Sequence, residues 1–138
     1  NYTIHERELA TRGRFSFFIA KSRNVCNSRM RGNMEDFQDF QIIDNCLMVR
    51  MPEEVDHHRA SYICEGADRL LVRENVENVV FDFEDTRFMD SSGIGIIMGR
   101  YRKISCFGGH VYAIHTDRQI QRIFRMSGLH KIVEILPG

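Results

Sequence analysis

The sequence has little proline, no long apolar run and no paired-cysteine motif, and each shortage closes off a class of protein. Two prolines in 138 residues exclude collagen-like and proline-rich architectures. The longest apolar stretch, Phe15 to Ala20, is six residues long with a serine inside it. A membrane-spanning helix needs roughly 20 apolar residues, so no membrane span is expected. The polar opening, Asn1 to Arg14, leads into no long apolar core of the kind a secretory signal carries. Cys26, Cys46, Cys64 and Cys106 form no C-x-x-C pair, so neither a zinc site nor a redox motif is indicated. Reduced, mostly buried thiols and a cytoplasmic location are the expectation. Neither G-x-x-x-x-G-K-[ST] nor G-x-G-x-x-G occurs, so the chain is expected to hold no ATP site, cofactor or metal of its own.

Formal net charge is also absent, but the balance is uneven. Residues 1–33 carry seven basic and two acidic side chains, and residues 34–138 carry twelve basic and seventeen acidic ones. The first segment is thus +5 and the rest −5, and a solvated basic tail is expected there rather than a nucleic-acid arm, since no aromatics are interleaved at a recognisable spacing. Met34-Glu35-Asp36 reads as a natural start. The expected division is an extension over 1–33, outside the fold, and one domain over 34–138.

What remains, 43% apolar and 28% charged, is ordinary globular composition, and the length supports one domain with a real core. From Phe37 onward, β-rich runs alternate with helical periodicities, the pattern of a mostly parallel α/β sheet. Phe37 to Ile43 and Cys46 to Met51 flank Asp44-Asn45, a two-residue hairpin signal, so the sheet opens with an antiparallel edge. Asp56 stands at a helix N-cap, and Ala60, Ile63, Cys64, Ala67, Leu70 and Leu71 follow at helical spacing. Val79 to Phe83 predicts a central strand. Asp90 to Phe107 predicts a second helix, Gly108-Gly109 a break, and His110 to Ile114 a strand. A third helix is expected from Thr116, boxed with Gln119, to Gly128, and a last strand over Lys131 to Leu136. The order is β-β-α-β-α-β-α-β, one α/β domain with a mixed, mostly parallel sheet.

The segment Phe88-Met89-Asp90-Ser91-Ser92-Gly93-Ile94-Gly95 follows the central strand and opens the second helix. Carboxyl-end loops of parallel sheets are where ligands and partners are met. Ile94, Ile97, Met98, Tyr101 and Ile104 or Ser105 form the stripe expected to face the sheet, while Ser92, Gly95, Ile96, Gly99 and Lys103 share another face. Glycine inside a helix costs about 1 kcal/mol relative to alanine. Two of them beside Ser92 fit either close packing within the domain or a bare docking face with Ile96 as its apolar contact; pattern alone leaves both open.

Val55-Asp56-His57-His58, the Phe88 to Gly95 segment, Gly99-Arg100-Tyr101 and Met126-Ser127-Gly128-Leu129, in order and with compatible spacing over residues 40–136, resemble the anti-sigma-factor antagonists of the sporulation sigma-F circuit, which are STAS domains. The resemblance implies a STAS-type single domain that captures an anti-sigma factor with serine kinase activity and so frees a sigma factor. It places the phosphorylated serine, the second of the Asp-Ser-Ser-Gly motif, at Ser92. Asp56, Asp90, Ser91, Ser92, Gly95, Ile96 and Gly99 are the expected partner-binding residues. The sequence departs from the family at Met51-Pro52-Glu53-Glu54, where a glycine usually precedes the acidic residue, and in stopping at Gly138 where a C-terminal helix usually follows. An enzyme reading, with Ser91 or Ser92 as nucleophile and His57 or His58 as base, lacks a G-x-S-x-G elbow. Metal binding by the two histidines lacks a third ligand. The competing reading is a STAS module of a stress pathway or a ligand-binding STAS domain.

Overall fold

The computed structural model describes residues 39–137; Cys26, Phe37 and the segment 1–33 lie outside the described residues. Strands β1 (Phe40–Ile43) and β2 (Cys46–Arg50) pair antiparallel. The turn between them puts Asp44 and Asn45 at φ 49° and 64°, the left-handed pair a two-residue type I′ turn demands. β3 (Glu54–Val55), helix α1 (His57–Arg73), β4 (Asn78–Asp82), β5 (Phe88–Met89), helix α2 (Ser91–Ser105), β6 (His110–Ile114), helix α3 (Arg118–Ser127), a 3₁₀ turn (Leu129–Lys131) and β7 (Val133–Ile135) follow.

The main sheet has the order β1-β2-β4-β6-β7, parallel from β2 onward. Register aligns Leu47, Val79, Val111 and Val133 across four strands. Side chains alternate between the faces of a sheet. Leu47, Val49, Val79, Phe81, Val111 and Ala113 therefore share one face, where they meet Ile63 and Ala67 of α1, Ile96, Ile97 and Ile104 of α2, and Ile120 and Phe124 of α3 in a single core. Phe83 and Phe124 meet edge-on, with ring centroids 5.8 Å apart, the arrangement that aligns ring edge with ring face. Met48, Val80 and Ile114, on the opposite face, are buried too, which accounts for the near-continuous apolar runs of β2 and β4.

Three expectations shift. β3 and β5 are additional strands, paired parallel with each other in a separate two-stranded sheet; at two residues each they are too short for any periodicity to register. The cap of α3 is Asp117, whose carboxylate accepts the Ile120 N–H at 2.8 Å, and Thr116 instead accepts from the Gln121 amide at 3.1 Å. A carboxylate is the better acceptor for orphan helix N–H groups, and it takes the position. The last strand is only Val133–Ile135, because the 3₁₀ turn consumes Lys131. Helix α3 does stop at Gly128, at φ 81°, where glycine carries no Cβ penalty.

Candidate functional site

The small β3–β5 sheet builds the site. Its register pairs Glu54 with Phe88 and Val55 with Met89, and the Asp90 N–H donates to the Val55 carbonyl at 3.1 Å. Because the strands run parallel, the residues that follow them, Asp56 and Asp90, come level with one another. Each is a helix N-cap: the Asp56 carboxylate accepts the Arg59 N–H at 3.0 Å, and the Asp90 carboxylate accepts the Ser92 N–H at 2.7 Å. Helices α1 and α2 pack together, so two helix N-termini open side by side, with His57-His58 on one and Ser91-Ser92 on the other. Both positive dipole ends face the same solvent.

Hydrogen bonding favours the ionised form of one acid at this mouth. The Asp56 carboxyl is held below its ordinary value, chiefly by the Arg59 backbone N–H, because a bond donated to the ionised form favours that form. Ser91 is exposed and Ser92 half-buried. His57 and His58 are exposed, their ring centroids 5.7 Å apart.

Along α2 the two glycines differ from the third. A Cβ added at Gly95 or Gly99 would meet nothing within 4 Å, whereas one at Gly93 would collide with Met89 Cγ and Sδ. Gly93 is the glycine that close packing requires; Gly95, exposed, and Gly99, half-exposed, leave bare helix. This favours the docking reading for the latter two. Ile96 is a correction: it is 1% exposed and lies in the core, so it cannot be the apolar contact of that face. The buried arc of α2 is Gly93, Ile96, Ile97, Arg100 and Ile104, while Ile94, Met98 and Tyr101 are half-buried at its edge.

The signal that hid this arc is Arg100. A charged side chain reads as solvent-facing, yet Arg100 is 6% exposed. Its Nε stands 3.0 Å from Asp68 Oδ1 of α1, close enough for an ion pair but out of line for a hydrogen bond. Lys103 Nζ reaches Asp68 Oδ2 at 2.7 Å. Asp68 thereby ties α2 to α1 through two cations. Counting Arg100 among the buried positions turns the helix by about one residue and takes Ile96 inside.

Burial pushes the Cys46 thiol up to about 12, so it stays protonated at neutral pH; Cys46, Cys64 and Cys106 are free thiols. Among the described residues, the group whose donor atoms lie close enough to converge on a metal is Asp82, Glu84 and His115, within 4.8 Å of one another; here His115 Nδ1 pairs with Asp82 Oδ1 at 2.8 Å. Within the described residues no helix is long and apolar enough to cross a membrane.

The model of the STAS domain matches residues 38–137, the whole of the α/β unit just described. This chain belongs to the STAS domain family. An anti-sigma F factor antagonist of Paenibacillus polymyxa is 37% identical over 89 residues, 64% of this chain and 76% of that protein. The anti-sigma-B factor antagonist of Bacillus subtilis (strain 168) is 25% identical over 92 residues, 67% of this chain and 83% of that protein. Among solved structures, the anti-sigma factor antagonist SpoIIAA in its unphosphorylated form superposes with a TM-score of 0.64 at 24% identity, covering 70% of this chain and 85% of that one. The STAS domain here thus has the SpoIIAA fold. Its two capped helix N-termini and bare α2 face are the parts of it that carry a candidate function.

Proposed function

We propose that this chain is an anti-sigma-factor antagonist, a cytoplasmic regulator rather than an enzyme, which in its unphosphorylated form binds an anti-sigma factor that is also a serine kinase and so releases a sigma factor. Phosphorylation of Ser92 by that partner ends the capture. The observation that carries the reading is the surface of α2: Asp90, Ser91 and Ser92 open the helix, and Gly95 follows with open space above its Cα. A partner backbone can approach such a surface closely, and a hydroxyl in its first turn stands within a kinase's reach. The partner-binding set is Asp56, Asp90, Ser91, Ser92, Gly95 and Gly99. The sporulation branch is favoured over the stress-pathway branch by the higher identity to the sigma-F type relative, 37% against 25% for the sigma-B type.

The test is direct. The chain is incubated with ATP and either a sigma-F-type or a sigma-B-type anti-sigma kinase, and the phosphate is mapped by mass spectrometry. Phosphate on Ser92 with the sigma-F-type kinase is the expected outcome, and Ser92→Ala is expected to bind that kinase while staying unmodified, acting as a permanent antagonist. No phosphate with either kinase, or phosphate mapped elsewhere than Ser92, would refute the proposal.

A further inference from the structure

With Ile96 in the core, the docking face lacks the apolar contact that its sequence pattern assigned, and a different residue stands where one is needed. Phe88 is 48% exposed although its strand neighbour Met89 is 4% exposed. It sits on β5, level with Glu54 of β3, two residues before the Asp90 cap and four before Ser92. Among the described residues, the other large exposed apolar side chains are Val72 in the last turn of α1, Phe107 beyond the far end of α2, Met126 in the last turn of α3 and Tyr62 within α1.

We infer that Phe88 is the apolar anchor of the docking face and seats in an apolar pocket, rimmed by basic groups, on the anti-sigma factor. Aromatic side chains dominate protein interfaces when a partner pocket desolvates them. Phe88 is held ready for this: the N–H groups of Arg87 and Phe88 both donate to the Glu53 carbonyl, at 2.8 and 3.1 Å. Presenting the ring therefore costs little ordering of its backbone on binding.

The basic rim follows from the charges around it. Glu53, Glu54, Asp56 and Asp90 surround the ring's strand. Among the described residues, the cations beside it are Arg87, which pairs with Glu53 at 3.5 Å, and Arg59, which donates to the Glu54 carbonyl at 3.2 Å. The surplus is acidic, and complementary potential steers a basic surface onto it.

The experiment titrates the sigma-F-type anti-sigma factor with the full chain, as wild type, Phe88→Ala and Phe88→Leu, by calorimetry, with a thermal melt of each. Phe88→Ala is expected to weaken binding at least tenfold, about 1.4 kcal/mol, with an unchanged melt. Phe88→Leu is expected to stay within about threefold of wild type, since it keeps an apolar group for the pocket. Wild-type affinity is expected to fall as salt rises. Wild-type affinity in Phe88→Ala would overturn the anchor alone. A Phe88→Ala chain that melts well below wild type would also overturn it, by making the ring part of the fold. If the wild-type chain itself fails to bind, the antagonist role falls and the anchor with it.

Discussion

At the scale of single residues, the two cap aspartates do different work with the same chemistry. Asp90 lies against Ser92, the serine proposed for phosphorylation, and accepts that residue's own N–H at 2.7 Å. Asp56 secures the neighbouring helix and, with its carboxyl held below the ordinary value by the Arg59 N–H, links the site to pH. A folded-state value lower than the unfolded one means stability that is fully present above the unfolded value and lost as pH falls through the folded one. Replacing Asp56 by asparagine, which still caps but carries no charge, is expected to lower the thermal midpoint at pH 7. The gap between the two proteins is expected to close as pH drops below about 3.9, the ordinary aspartate value. Melts across pH 2 to 7 measure it, and a gap that widens in acid would contradict the assignment. The capping role of Asp56 was legible from its place before an apolar-periodic run. Its grouping with Asp90 came from the family resemblance and not from any residue pattern, because their level position depends on a two-residue parallel pairing between strands that no pattern announces.

At the scale of elements, α2 must satisfy two surfaces at once, and its glycines divide the task. A Cβ at Gly93 would strike the Met89 side chain, and Met89 is itself buried. Gly93→Ala is therefore expected to destabilise by about 1–3 kcal/mol, the usual range for overpacking. Gly95 meets nothing, so Gly95→Ala is expected to stabilise the helix by up to about 1 kcal/mol while weakening capture of the anti-sigma factor. Denaturant melts alongside a binding titration separate the two effects; a Gly95→Ala protein no more stable than wild type, or with undiminished affinity, would remove the reason for a bare helix. The glycine spacing was readable in the sequence, as were the hairpin at Asp44-Asn45 and the stop at Gly128, where backbone geometry dictates the residue type. The rotation of α2 was not. It hinges on Arg100 and Asp68, a tertiary ion pair 32 residues apart in the chain, and a charged side chain in a buried arc inverts the rule by which an amphipathic face is found.

At the scale of the whole molecule, the strand order and the placement of the site at the carboxyl side of the sheet follow from alternating β and α runs, which is why the fold was legible although two small strands were not. The same architecture decides how one phosphate would act. Ser92 lies in the first turn of a helix whose other end of the turn is tied into the core by Gly93, Ile96 and Ile97. A phosphate there adds roughly −1.5 to −2 charge. Locally that charge is tolerated by the helix dipole, and the half-exposed serine can carry it outward without displacing core side chains. For a partner the effect is opposite. The phosphate stands beside Asp90, one helical turn from Gly95, and its bulk blocks the close approach that the open space at Gly95 permits, an obstruction that attraction between the added charge and a basic rim does not relieve. The switch is therefore expected to act through the surface and not through unfolding. Ser92→Asp is expected to keep the wild-type circular dichroism and to melt within a few degrees of it, while binding the anti-sigma factor at least tenfold more weakly. The enzymatically phosphorylated chain is expected to behave likewise. A phosphorylated protein that had lost its helical signal, or a folded one that still bound as tightly as the unmodified chain, would rule this mechanism out: the first because the phosphate would be acting on the core, the second because it would not be acting on the partner at all.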